Sequence, residues 1–140
     1  MNEPVELRLA EGRLAALAWG DAGRPTWLAL HGWLDNAASF SRLAPRLVAR
    51  LGIRVVALDF SGHGRSAHSP GDYALWDYCH DVLDAADALG LERLTLLAHS
   101  MGAGVACLTA AALPERLARL VLIDRSEEHT SELQSHIGIS

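Results

Sequence analysis

Apolar side chains recur along this chain in two rhythms. Val5, Leu7 and Leu9 alternate with Glu6 and Arg8, the period of two expected of a half-buried strand. Leu14–Trp19 reads as its hairpin partner across Glu11-Gly12, and Asp21-Ala22-Gly23-Arg24-Pro25 reads as a loop. Thr26–Leu30, Arg54–Leu58, 94–98 and 120–123 are short and almost continuously apolar, the pattern of strands buried on both faces. Between them the rhythm lengthens. Phe40, Leu43, Leu47 and Leu51 stand at helical spacing, with Ser39 or Ser41 as the cap, Pro45 near the first turn and Gly52 as the stop. Residues 75–89 predict an amphipathic helix with Leu75, Tyr78, Val82, Ala86 and Leu89 inward, and Gly90 ends it. Asp77, Asp81, Asp84 and Asp87 line its other side and read as a solvated face. A further helix runs from Ser100 to about Leu113, where Pro114 closes it. Strands alternating with helices at these spacings predict an α/β fold with a mostly parallel sheet and right-handed crossovers.

Composition adds limits. Half of the 140 residues are hydrophobic, ample for the core of one domain, and the net charge is −5. No basic stripe is present to draw nucleic acid or an anionic membrane, so neither is expected as a partner. The apolar runs are too short for a bilayer span and no leader-like segment is evident, so the expected location is the cytoplasm. All 12 basic side chains are arginine, a bias associated with GC-rich bacterial genomes. Cys79 and Cys107 both fall in predicted helices and read as buried apolar side chains. Without C-x-x-C or clustered Cys/His spacing, no disulfide, metal or other cofactor is expected.

The candidate chemistry centres on Ser100. It follows the apolar run 94–98 and opens the next helix, with the small residues Ala98 and Gly102 two positions to either side. This layout matches a nucleophile elbow, where a sharp strand-to-helix turn lifts the hydroxyl clear of the backbone. Crowding at such a turn demands small neighbours, and Gly104 is expected to let the new helix lie close to the sheet. A serine hydroxyl needs a base to take its proton and donors to receive the developing oxyanion. In an open parallel sheet, reactive groups gather beyond the carboxyl ends of the strands. His31-Gly32-Trp33, the segment 59–66 and Ser100 each follow such a strand. The candidate donors are the N–H of Met101, at the helix start, and that of Trp33, with Gly32 allowing the tight turn. The competing reading makes Ser100 an ordinary helix cap. His99 is expected to pack with its side chain turned from Ser100, His31 to be a structural hydrogen-bonding group, and His68 and His80 to lie at the surface. Asp35 reads as a turn former.

Three segments together carry a resemblance. His31-Gly32-Trp33-Leu34-Asp35-Asn36, Asp59-Phe60-Ser61-Gly62-His63-Gly64-Arg65-Ser66 and Ala98-His99-Ser100-Met101-Gly102 resemble, in order, the front-half motifs of the α/β-hydrolase superfamily. The first block resembles its serine-hydrolase-like branch in particular. The departure is Ala98, where the common G-x-S-x-G form has glycine. The resemblance covers residues 5–124 and implies the N-terminal half of an α/β-hydrolase fold. It implies Ser100 as nucleophile, Trp33 and Met101 as oxyanion donors, and His31, Gly32, His99 and Gly102 as residues shaping the site. The implied activity is hydrolysis of a small-molecule ester or similar acyl substrate through an acyl-serine. Serine at this position argues against dehalogenase or epoxide-hydrolase chemistry, whose relatives carry aspartate. The family's acid, its histidine base and its cap are expected beyond Asp124; some relatives place their acid at the strand end where Asp124 stands. A non-catalytic binding or receptor protein of the same fold is the alternative.

The composition breaks at Arg125. Residues 125–136 resemble the in-frame translation of a sequencing-adapter oligonucleotide, and Gln134 is the first glutamine in the chain. The expectation is therefore a truncated core over 1–124 and a non-native or disordered tail over 125–140. Such a fragment, lacking its base, is expected to be inactive and poorly folded, with its last strand an exposed apolar edge.

Overall fold

The computed structural model describes residues 3–32, 36–66, 75–123 and 137–139. Among these residues seven strands form one sheet in the order β1-β2-β4-β3-β5-β6-β7. The strands are β1 (Val5–Leu9), β2 (Leu14–Trp19), β3 (Thr26–Leu30), β4 (Arg54–Leu58), β5 (Leu94–His99), β6 (Leu117–Ile123) and β7 (Ile137–Ile139). The four apolar runs supply the parallel centre, β4-β3-β5-β6, and the β1–β2 hairpin joins β4 antiparallel. Their near-continuous apolarity follows from burial on both sides. On β3, Leu28 faces one core with Leu30, while Trp27 and Ala29 face the other.

Helices α2 (Leu75–Ala88) and α3 (Met101–Ala112) cover the first of these cores, packing Tyr78, Val82, Ala85, Val105 and Ala106 onto the sheet. On the opposite face lie the 3-10 turn Ala37–Phe40 and α1 (Leu43–Leu51), with Phe40 and Ala44 buried against Trp19, Val55 and Leu97. Gly52 ends α1 in the left-handed conformation, as expected, with its N–H donating to the Val48 carbonyl. The cap differs from expectation. Neither serine caps α1, whose first-turn neighbour is Arg42; Asn36 instead caps the 3-10 turn, its Oδ1 accepting from the Ala38 N–H at 2.9 Å.

Four further expectations change. The acidic side of α2 is not all solvated. Asp81 is 2% exposed, because it stands one turn from Tyr78 and Ala85 and so shares their inward face. Leu75, expected inward, is 43% exposed at the start of the helix. Cys79 is buried, but Cys107 lies on the exposed side of α3. Finally, β6 begins at Leu117 rather than Leu120, and β7 pairs antiparallel with its end at Val121–Ile123. That part of the β6 edge is therefore covered by three residues of the segment set apart from the core. Among the described residues no helix is long and apolar enough to cross a membrane.

Candidate active site

Register places the candidate chemistry at the carboxyl ends of three central strands. Leu30 of β3 pairs with Leu58 of β4 on one side and Ala98 of β5 on the other. The residues that follow, His31, Asp59 and His99, therefore stand at the same level, His99 still paired with Ile123 of β6. Ser100 comes one residue later, at the joint between β5 and α3.

The backbone of Ser100 is bent into φ 57°, ψ −122°, one of three non-glycine residues with positive φ among those described. Such a conformation costs on the order of 1–3 kcal/mol and persists only where the surroundings impose it. Ser100 sits at the cap position of α3, yet its side chain makes no capping hydrogen bond and is exposed. The cap reading therefore fails, since a capping serine must use its oxygen on the helix N–H groups. Met101 is the first residue of α3, so its N–H belongs to the helix end that has no partner carbonyl within the helix.

The surroundings that hold the turn are tight. A Cβ on Gly102 would lie 2.7 Å from the Leu30 carbonyl carbon and 2.8 Å from the His31 oxygen, and closer still to the Leu30 oxygen. Only a residue without Cβ fits there, and α3 consequently starts against the end of β3. Gly104 does not have the role expected of it. Its Cβ would make an ordinary 3.6 Å contact with Leu75, so it faces α2 and not the sheet. Gly32 comes next to the serine: a Cβ there would lie 3.1 Å from Ser100 Cβ and 3.4 Å from Ser100 Oγ. The same point is 3.7 Å from His99 Nδ1, so the His99 ring, expected to face away from Ser100, borders the same glycine. Trp33, Asp35, His68 and Asp124 lie outside the described residues.

His31 is fully buried, and its two ring nitrogens do different work. The Phe60 N–H donates to Nε2 at 3.0 Å, which requires Nε2 to be unprotonated. Nδ1 therefore carries the proton and donates to the Gly32 carbonyl at 2.7 Å. The imidazole is thus a neutral strut between the segments after β3 and β4. It packs edge-on against Phe60 at 4.7 Å and beside His63 at 5.1 Å. Asp59 ties the same segments a second time. Its buried carboxylate accepts from the Ala37 N–H at 2.6 Å and from the Arg65 N–H at 3.1 Å.

Sequence reasoning passed over a polar cluster behind this floor. Asp81 accepts from the Ser61 N–H at 2.7 Å, from Ser61 Oγ at 2.8 Å and from Arg13 at 2.8 Å. Arg13 also reaches Asp84 at 2.6 Å. Burial pulls the Arg13 guanidinium down, but the hydrogen bonds and charges of Asp81 and Asp84 outweigh it, leaving its pKa above the ordinary value. The available signal was the position of Asp81, three residues after Tyr78 on a helix whose inward face Tyr78 defines. Among the described residues no group of three or more His, Cys, Asp or Glu is placed to hold a metal ion.

Against known proteins, the alpha/beta hydrolase fold family matches residues 25–139. A serine hydrolase-like protein of Dictyostelium discoideum is 44% identical over 127 residues, covering 88% of this chain and 35% of the relative. An sn-1-specific diacylglycerol lipase of mouse is 39% identical over 119 residues, covering 85% of this chain and 38% of the lipase. The crystal structure of a hypothetical protein from Pseudomonas aeruginosa superposes with a TM-score of 0.78 at 56% identity, covering 87% of this chain and 43% of that one. The chain belongs to the α/β-hydrolase superfamily, in its serine-hydrolase-like branch. It spans between about a third and a half of each of these three relatives.

Proposed function

We propose that this chain carries the nucleophile half of a serine hydrolase that attacks a small-molecule ester or similar acyl compound. The observation that carries the reading is Ser100 itself, an exposed residue held at positive φ at the strand-to-helix joint with a side chain that caps nothing. A strained serine used only for structure would be replaced by glycine at no loss. In the reaction, Ser100 Oγ attacks the acyl carbon while a base takes its proton. The carbonyl oxygen becomes an oxyanion, received by the N–H groups of Met101 and Trp33. Collapse expels the protonated leaving group and leaves an acyl-serine, which water then hydrolyses. His31 is not the base, because both of its nitrogens are committed to backbone groups. We assign the base and its acid partner to the part of the protein that corresponds to the relatives' unmatched length. The lipase activity named for the mouse relative supports an acyl ester as the substrate class. Residues 1–124 form the core of this proposal and 125–140 are foreign to it, which resequencing the source DNA across codons 123–125 tests.

Treatment of the full-length gene product with a fluorophosphonate probe, followed by peptide mass spectrometry, tests the nucleophile. Stoichiometric modification at Ser100, abolished in Ser100→Ala, is the expected result. An unmodified Ser100 in a folded full-length protein would overturn the assignment and favour a binding role for the fold.

A further inference from the structure

We propose that Asp81, on α2 and away from the reacting atoms, is a positioning residue that fixes the His31 imidazole and, through it, the backbone beside Ser100. The inference rests on the reading of Ser100 as nucleophile. Its support is an unbroken series of contacts that begins on the far side of the sheet's floor. Asp81 is 2% exposed and grips Ser61 twice, through the backbone N–H at 2.7 Å and the hydroxyl at 2.8 Å. Arg13 closes the group, donating to the Asp81 carboxylate at 2.8 Å and to Ser61 Oγ at 2.9 Å.

Ser61 is the second residue of a tight turn in which the His63 N–H donates to the Phe60 carbonyl at 2.8 Å. Holding Ser61 therefore sets both ends of the turn. At one end the Phe60 N–H is aimed at His31 Nε2. At the other, His63 Nδ1 meets the Ser61 carbonyl at 3.1 Å, which places the His63 ring against His31. His31 Nδ1 then holds the Gly32 carbonyl, and Gly32 is the residue whose missing Cβ leaves room for Ser100. A turn that shifts frees the Phe60 N–H from Nε2. One of the two bonds that fix the tautomer is then lost, which weakens the preference for a proton on Nδ1, and the bond that holds Gly32 depends on that proton.

The test uses the full-length gene product with 15N-labelled histidine. Long-range 15N–1H spectra report which nitrogen of His31 carries the proton, a property that a loss of general stability leaves unchanged while the protein is folded. The wild-type ring is expected in one tautomer, protonated at Nδ1. Asp81→Asn, which cannot accept all three bonds, is expected to give a mixture of tautomers and a fluorophosphonate labelling rate at Ser100 lower by roughly ten- to a hundredfold. Ser61→Ala removes only the hydroxyl and is expected to move both readouts in the same direction by less. Asp84→Asn is expected to move neither. If Asp81→Asn and Ser61→Ala both fold and keep the single Nδ1–H tautomer, Asp81 does not position His31. If Asp81→Asn does not fold, Ser61→Ala alone decides. If wild-type Ser100 does not label, the nucleophile reading falls, and the His31 spectra still decide whether Asp81 controls the ring.

Discussion

Adding one methyl group to either of two glycines on the same helix is expected to have opposite effects. At Gly102 the new Cβ would lie 2.7 Å from the Leu30 carbonyl carbon, against an optimum carbon–carbon separation of about 3.5 Å or more. The obstruction is backbone on a central strand, so α3 itself must retreat, by roughly 0.8 Å at its first turn. Overpacking of this kind costs about 1–3 kcal/mol, and the rigid strand puts Gly102→Ala at the upper end. At Gly104 the new Cβ finds an ordinary contact with Leu75 at 3.6 Å. Alanine also outranks glycine inside a helix by about 0.5–1 kcal/mol, so Gly104→Ala is expected to stabilise by that amount. Equilibrium urea denaturation of both variants, with thermal melts alongside, separates them by about 3–4 kcal/mol and on the order of 10 °C. The same retreat of α3 moves the Ser100 turn, so fluorophosphonate labelling of Gly102→Ala is expected to slow by about a hundredfold. A Gly102→Ala protein with wild-type midpoint, slope and labelling rate would refute the claim that α3 begins against the end of β3. A destabilised Gly104→Ala would show that the space beside Leu75 is not there.

Four other outcomes follow from the structure. Gly32→Ala would place a Cβ 3.4 Å from Ser100 Oγ, so labelling at Ser100 is expected to fall by roughly tenfold or more while the melting temperature stays within a few degrees of wild type. Asp81→Ala strips the buried partner from Ser61 and Arg13 and is expected to cost about 2–3 kcal/mol in urea, below the range for a fully buried pair because Arg13 is partly exposed. Asp84→Ala removes a half-exposed carboxylate from a partly exposed arginine and is expected to cost under about 1 kcal/mol. A thiol reagent is expected to modify Cys107 rapidly in the native protein and Cys79 only on unfolding, read by mass spectrometry of the modified peptides.

The strands of the sheet were legible because burial on both faces forces short continuous apolar runs such as Thr26–Leu30 and Arg54–Leu58, bounded by Gly, Pro and polar loop residues. Ser100 was legible for a related reason: a turn that crowded leaves a record in the size of its neighbours. What escaped notice depends on the third dimension. Asp81 belongs by spacing to a row of four aspartates, and only the approach of Arg13 and Ser61 turns one of the four into a buried anchor. Gly102 and Gly104 look equivalent in the sequence, yet one meets backbone and the other meets open side-chain space. The pairing of Ile137–Ile139 with β6 joins segments whose own patterns do not predict each other.

The positive φ of Ser100 also bears on how such a chain changes under mutation. Glycine is the residue that this backbone angle favours, and glycine codons are a single base from one family of serine codons. A lineage that kept only the fold would gain stability by that exchange and lose nothing, so drift would run from serine to glycine. A lineage that keeps serine bears a standing cost of on the order of 1 kcal/mol or more in every copy of the protein. Among descendants and laboratory-evolved libraries of this chain, the residue at this single backbone angle therefore separates sequences selected for chemistry from those selected only to fold.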